Sequence, residues 1–101
     1  QIELFVEALP AVMGARESVS LGYSTIGQRR NRDYFSRLVQ EKKSLSAFEE
    51  MLIYDPQTSG GLLITLKESS ADVFESRLSD GGVLSWRIGS VDVGSGIRLS
   101  H

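Results

Sequence analysis

The chain has 101 residues, a formal net charge of −2, 24% charged residues and 41% hydrophobic residues. These values are ordinary for one folded domain and exclude disordered and collagen-like classes. No apolar run approaches the ~20 residues that span a membrane, so the sequence predicts no membrane partner. The chain contains no cysteine, which excludes disulfides within it and fits a cytoplasmic origin. The only histidine, His101, makes no metal site alone, and no metal ligands are predicted.

The first third of the chain predicts a strand followed by a helix. The sequence starts at Gln1 and enters a strand-like run, residues 2–6, at once, so we expect a piece of a longer protein. Residues 11–19 predict a helix that follows Pro10, a residue tolerated in a first helical turn, and Gly22 is its expected stop.

The next segment lacks a clear hydrophobic period and is the most basic part of the chain. Residues 23–32 predict a loop, 33–39 a short helix and 40–44 a polar connector. Residues 28–43 carry six basic residues against two acidic ones, a local excess of +4, whereas the rest carries five basic and eleven acidic residues. The six are Arg29, Arg30, Arg32, Arg37, Lys42 and Lys43.

Arginine clusters of this kind bind phosphate groups because the guanidinium fork matches oxyanions. The alternative is a solvated surface segment. Aromatic residues do not alternate with the arginines and the domain as a whole is acidic, which argues against a nucleic-acid partner. We expect a phosphate-facing role or a contact with another domain.

The middle of the chain predicts a capped helix and a buried strand. Ser46 and Glu49 have the spacing of a capping box, in which each side chain accepts a hydrogen bond from the other's backbone. The helix must end by Asp55, because a residue before proline is pushed away from helical angles. Residues 62–66, LLITL, have apolar side chains on both faces and predict a central strand.

The last third predicts a helix and two strands. Ser69 or Ser70 is the expected N-cap of a helix that runs to about Ser79. Residues 83–93 predict a strand with Trp86 in the core and a bulge at Gly89-Ser90, where the alternation changes parity. Residues 94–96 predict a hairpin turn into a final strand, residues 97–99. The predicted fold class is α+β: a mixed, mostly antiparallel sheet of about four strands with helices packed on it.

The loop at residues 55–61, DPQTSGG, is the first candidate site. Thr58 and Ser59 offer hydroxyl groups, while Gly60 and Gly61 offer backbone N–H groups that a ligand can approach closely. Such a set can bind a phosphate oxygen. The loop matches neither a P-loop nor a dinucleotide fingerprint, and no helix follows it. An ordinary connection between a helix and a strand remains the alternative.

Residues 55–64, DPQTSGGLLI, resemble a signature near the C-terminus of the selenophosphate synthetase (selenide, water dikinase) family. Three other segments agree in order: ALP at 8–10, GQRRNRDYF at 27–35, which is similar to the family's GGTxxNrxyf segment, and IGSVDVGSGI at 88–97. The resemblance covers nearly the whole chain. It departs from the family at Gln28, where a second glycine is usual.

The resemblance implies an enzyme that makes selenophosphate, AMP and phosphate from selenide, ATP and water, in the superfamily of aminoimidazole ribonucleotide synthetase. Residues 1–101 would form most of its C-terminal domain. The family's reactive cysteine or selenocysteine, its partner lysine and most of its magnesium-binding aspartates would lie in the N-terminal catalytic domain. The chain alone is therefore expected to contain no catalytic residues, to be inactive and to bind no cofactor.

For the full-length enzyme the resemblance implies ATP and Mg²⁺ as cofactors, the N-terminal domain of the same chain as partner, a homodimer and a cytoplasmic location. It also implies a role in selenocysteine biosynthesis. The residues expected to face the nucleotide or phosphate are Thr58, Ser59, Gly60, Gly61 and Asn31. The alternative function is a structural or anion-binding domain of a related ATP-dependent synthetase.

Overall fold

The structure is a computed structural model that describes residues 1–41 and 44–101. It contains a four-stranded mixed sheet and four α-helices, which confirms the α+β class predicted from the sequence. In chain order the elements are β1 (Ile2–Phe5), α1 (Ala15–Ser20), α2 (Ile26–Phe35), β2 (Val39–Glu41), α3 (Ala47–Tyr54), α4 (Glu68–Asp80), β3 (Gly89–Val91) and β4 (Ile97–Ser100).

The strand order in the sheet is β2-β4-β1-β3. Strand β1 pairs antiparallel with β3, where Ile2 lies opposite Val91, and parallel with β4, where Ile2 lies opposite Ile97. Strand β2 pairs parallel with β4. Two of these three pairings are parallel, so the expectation of a mostly antiparallel sheet is wrong in that detail. The cause is the insertion of β1 between β3 and β4.

The hairpin predicted at residues 94–96 is therefore absent from the described sheet, because β3 and β4 are not neighbours. The connection between them passes around the start of β1 instead. The backbone N–H of Asp92 donates to the Gln1 carbonyl at 2.9 Å, and the N–H of Ile2 donates to the Gly96 carbonyl at 3.0 Å. Gly96 has a φ of +79°, a conformation that favours glycine.

Strand β3 is shorter than the predicted strand at residues 83–93, and its pairing with β1 is continuous from Gly89 to Val91. The predicted bulge at Gly89-Ser90 is wrong. Gly89 meets a different demand: a Cβ at this position would collide with the carbonyl oxygen of Glu3. The prediction of Trp86 as a core residue is also wrong, since 53% of it is exposed.

Helix α1 begins later than predicted, because Gly14 stands at its N-cap with a φ of +86°. The expected stop is confirmed: Gly22 also has a φ of +86°, and its N–H donates to the Val19 carbonyl at 2.9 Å. Helix α2 replaces the loop predicted at residues 23–32. Its N-cap is Thr25, whose hydroxyl oxygen accepts a hydrogen bond from the Gln28 N–H at 3.0 Å.

The predicted short helix at residues 33–39 is partly observed. Helix α2 continues to Phe35 and a 3₁₀ turn covers Ser36–Leu38, after which β2 begins. Residues 40 and 41 of the predicted polar connector belong to β2. Lys42 and Lys43 lie outside the described residues.

Helix α3 confirms the predicted capping box. The Ser46 N–H donates to a Glu49 carboxylate oxygen at 2.6 Å, and the Glu49 N–H donates to the Ser46 hydroxyl at 3.3 Å. His101 Nε2 lies 3.2 Å from the other Glu49 oxygen. The helix ends before Asp55, which has extended backbone angles, as predicted from Pro56.

Residues 62–66 do not form the predicted central strand; they have no regular secondary structure and are exposed. A strand needs a partner for its backbone groups, and in residues 1–41 and 44–101 this segment has none. Helix α4 follows, with Lys67 at its N-cap rather than Ser69 or Ser70. The helix ends at Asp80, close to the predicted end at about Ser79. Gly82 follows with a φ of +71°, and its N–H donates to the Ser79 carbonyl.

The most buried apolar residues are Val6, Tyr54 and Leu99, so burial concentrates around β1, β4 and the end of α3. Helices α1 and α2 both pack on α3. The guanidinium of Arg16 lies 4.0 Å from the ring centroid of Phe48, a cation–π contact between α1 and α3. Within the part of the chain that the structure describes, no helix is long and apolar enough to cross a membrane.

The close approach of β3 to β1 predicts the effect of a methyl group at Gly89. Gly89→Ala should lower the free energy of unfolding by about 1–3 kcal/mol, because its Cβ would meet the backbone of Glu3, which cannot move without breaking the sheet. Chemical denaturation measures this. Gly81→Ala is the matched control, since its Cβ would make only ordinary contacts. Equal stability of the two variants would contradict the register.

The capping box predicts a pH dependence. Hydrogen bonds from the side chain and backbone of Ser46 hold the pKa of Glu49 below its ordinary value of 4.5, with a smaller contribution from His101. A carboxylate with a lowered pKa stabilises the fold above its unfolded pKa and loses this effect as pH falls through its folded pKa. The stability advantage of wild type over Glu49→Gln should be full above pH 4.5 and shrink in acid. Urea denaturation at neutral and acidic pH tests it; a constant advantage would count against the box.

Candidate functional site

The candidate loop leaves the C-terminal end of α3, where α2 packs closely against it. Gly27 and Asn31 lie one turn apart on α2 and both face this end. A Cβ at Gly27 would stand 2.6 Å from Cγ of Pro56, so only glycine allows α2 to approach the start of the loop this closely. Asn31 Nδ2 donates to the carbonyl oxygen of Tyr54 at 2.9 Å.

The carbonyl of Tyr54 belongs to the last turn of α3, where carbonyl oxygens have no partner within the helix. Asn31 supplies the missing donor from a neighbouring helix, in a half-buried position. Asp55 is held in turn, since its N–H donates to the Met51 carbonyl at 2.9 Å. The direction in which the chain leaves α3 is therefore fixed by α2, up to Pro56.

The four loop residues predicted to face a phosphate, Thr58, Ser59, Gly60 and Gly61, are all exposed. Within residues 1–41 and 44–101, their backbone N–H groups donate to no backbone carbonyl. The loop thus presents two hydroxyl groups and a run of amide donors to its surroundings. This donor set suits phosphate oxygens, which are hydrogen-bond acceptors only.

The two glycines of this loop are not required by the backbone. Neither Gly60 nor Gly61 has a positive φ. A Cβ at Gly61 would meet nothing within 4 Å, and a Cβ at Gly60 would meet only the exposed side chain of Gln57. Glycine at position 61 therefore leaves room for an approaching group, whereas glycine at position 60 also avoids a contact of 2.7 Å with Oε1 of Gln57.

The arginines of α2 and of the 3₁₀ turn that follows it divide between contacts with neighbouring side chains and open surface. Arg32 bridges to α3 through Glu50 at 3.0 Å, and the Arg37 guanidinium lies 4.9 Å from the centroid of the Tyr34 ring. Arg29 and Arg30 are exposed. The structure thus assigns Arg32 of the predicted basic segment to packing of α2 on α3.

An open cleft of about 280 Å³ lies between α1, the start of α2 and the end of α3. Asp55 and Thr25 belong to its wall, so the cleft adjoins the first residue of the loop. Its remaining lining includes Ala15, Val19, Tyr23 and Met51. In the described part of the chain, no group of three or more acidic or histidine side chains is placed to hold a metal ion.

Asn31 was predicted from the sequence as a site residue, whereas the contact of Gly27 with Pro56 beside it was not predicted. The overlooked signal was Thr25-x-x-Gln28, which has the spacing of a helix N-cap with glutamine at the third helical position. A helix started at Thr25 places Gly27 and Asn31 on one face. Gln28, which departs from the family pattern, is buried, and its backbone N–H serves the cap.

No family model matches the sequence. Curated proteins do match it, and each is called "Selenide, water dikinase": one from Geobacter metallireducens is 38% identical over 91 residues, and one from Clostridioides difficile is 34% identical over 91 residues. Each alignment covers 89% of this chain. A third, from Clostridium botulinum strain Alaska E43, is 40% identical over 78 residues, 76% of this chain.

The chain belongs to the selenide, water dikinase family. The alignments with the Geobacter metallireducens and Clostridioides difficile dikinases cover 26% of each of those proteins. The chain thus spans about a quarter of the length of the dikinases it matches.

The contact between Asn31 and Tyr54 predicts a measurable contribution to stability. Asn31→Ala should lower the free energy of unfolding by about 1 kcal/mol, because it leaves a half-buried carbonyl without this donor. Thermal or urea unfolding measures the loss. Asp33→Ala, an exposed change in the same helix, should shift stability much less. The contact contributes nothing if the two variants unfold alike.

Proposed function

We propose that this chain is the C-terminal domain of a selenide, water dikinase that makes selenophosphate, AMP and phosphate from selenide, ATP and water. The support is the alignment pattern: most of this chain matches, but only about a quarter of each relative. The order of the DPQTSGGLLI segment and its companions along the chain supports the same assignment. In this proposal the catalytic residues belong to the rest of the polypeptide.

The loop from Thr58 to Gly61 would face the cleft between the domains and bind the nucleotide or a phosphoryl group. The observation that carries this proposal is the pair Gly60-Gly61: neither glycine is required by a positive φ, and Gly61 borders open space. Amide and hydroxyl donors aimed at a phosphate oxygen act best when they are positioned before the reaction. These residues would bind and orient the phosphate; ATP supplies the group that is transferred.

Asn31 would act in this site as a positioning residue. Its amide nitrogen already donates to Tyr54, and Gly27 on the same face lets Pro56 pack against α2. Together they fix the point from which the loop starts. Mg²⁺ would be held by residues of the other domain. The loop at residues 55–61 contains one carboxylate, that of Asp55, which is not predicted as a metal ligand.

The proposal extends to the other expected properties of the longer protein. Its N-terminal domain would be the partner of this chain, ATP and selenide its substrates, and a cytoplasmic homodimer its working form. These properties follow from the family resemblance rather than from a contact in this chain.

A second candidate function is structural bracing, favoured by the contacts of Gly27 and Asn31 with the end of α3. In that case the loop would only connect two elements of a domain that supports the catalytic one. Removing a loop hydroxyl would then change neither stability nor activity. A bulky residue at Gly60 would lower both together.

Two substitutions in the full-length enzyme separate these functions. Thr58→Val removes the hydroxyl at nearly constant volume, and Gly61→Ala adds a methyl group where the chain itself has space. If the loop binds a phosphate, each should lower kcat/KM for selenide-dependent AMP formation about tenfold, a loss of about 1.4 kcal/mol in transition-state binding. Melting temperatures should stay within about 2 °C of wild type.

Thr58→Ser is the matched control, because it keeps the hydroxyl and should retain activity within about twofold. Gly81→Ala, at the end of α4, controls for adding a methyl group to a glycine. Activity within about twofold of wild type for both Thr58→Val and Gly61→Ala would rule out the phosphate contact and leave the bracing function.

A further inference from the structure

The chain exposes more surface than a folded monomer of its size. Its accessible surface is 7879 Å², whereas a folded protein of 11.1 kDa is expected to expose roughly 5,700 Å². The excess, roughly 2,200 Å², is much larger than the roughly 800 Å² that one partner buries in a standard interface. The excess is therefore large enough to be the surface against which another folded part of a polypeptide packs.

The most exposed apolar run is residues 62–66. Leu62 is 91% exposed and Leu63 is 71% exposed, and Ile64 and Leu66 are exposed as well. In the described residues, the backbone N–H groups of this run donate to no backbone carbonyl. Its composition is that of a strand buried on both faces, so it combines apolar side chains with N–H groups that have no backbone acceptor among the described residues.

A second apolar surface lies on the segment that follows α4. Arg87 donates to both carboxylate oxygens of Glu75, at 3.0 and 2.9 Å, and to Asp72 at 2.8 Å. These bonds hold residues 83–88 alongside α4 as the chain returns. Leu84 and Trp86 on this segment remain exposed. Residues 83–88 are thus held against α4 by Arg87, but their apolar side chains Leu84 and Trp86 are exposed.

We propose that residues 62–66 form a β-strand by pairing with a strand of the longer polypeptide outside residues 1–101. This inference rests on the proposed function, in which the chain is one part of a full-length dikinase. About three quarters of each matched dikinase lies outside the alignment, which is enough chain to cover an excess of this size. A second copy pairing through one five-residue strand would bury much less than this excess.

The partner strand must satisfy two conditions. It must present an unpaired edge of N–H and C=O groups to residues 62–66. It must also be apolar on at least one face, because one face of LLITL is apolar at residues 62, 64 and 66 and the other carries Leu63. Pairing would fix the chain directly after Gly61, so the candidate loop would be held at both ends: by α2 at Pro56 and by the new strand at Leu62.

Hydrogen–deuterium exchange on the full-length polypeptide tests this inference without relying on activity. The amides of residues 62–66 should exchange at least a hundredfold more slowly in the full-length protein than in the 101-residue chain at micromolar concentration. Ile64→Lys in the full-length protein should remove this protection. Val93→Lys, at a position that is fully exposed in a loop, should not.

Three outcomes overturn the inference. Residues 62–66 could exchange equally fast in both proteins. They could be protected in the monomeric 101-residue chain, which would place the partner within it. They could be protected only as that chain dimerises in sedimentation experiments, which would make a second copy the partner. Protection in a full-length protein that lacks dikinase activity would instead contradict the proposed function alone, and activity without protection would contradict this inference alone.

Discussion

The sheet depends on the insertion of β1 between β3 and β4. The first strand of the chain must meet its last two, so the sheet closes only when the two ends of the chain come together. Bringing distant segments of the chain together costs loop-closure entropy, and only the contacts that form between those segments can offset this cost. The backbone bonds of Gln1 and Ile2 with the connection at residues 92–96 hold this arrangement. Along the chain, helices α1 and α2 lie between β1 and β2, and helices α3 and α4 lie between β2 and β3.

The features that could be predicted from the sequence are those decided within about four residues. The capping box of Ser46 and Glu49, the stop at Asp55-Pro56 and the glycine at the end of α1 are all local. The prediction of a hairpin at residues 94–96 was wrong because these residues specify a turn but do not specify which strand pairs with β4. Residues 62–66 were predicted as a strand from composition alone, yet a strand forms only when its backbone finds a partner.

The candidate site shows the same division. The chemistry of the loop could be predicted, because hydroxyl groups and glycine amides are visible in the sequence. The contacts that place the loop could not, since Gly27 with Pro56 and Asn31 with Tyr54 join residues 29 and 23 positions apart. Helix α2 was not predicted because its first half is rich in arginine and lacks the periodic apolar residues by which a helix is recognised.

The loop lies between an ordered helix end and an apolar run that has no strand partner within residues 1–41 and 44–101, and this position decides what the loop can bind. A P-loop gains its anion affinity from the N-terminus of the helix that follows it. Here the apolar run follows, so the phosphate binding that we propose would depend on amides and hydroxyls from Thr58 to Gly61. Such donors favour a transition state only if they need no reorganisation when charge develops. Asn31 and Gly27 secure one end of the loop. In our proposal the other end is secured only when residues 62–66 are paired, which would couple phosphate binding by this loop to the completion of the fold.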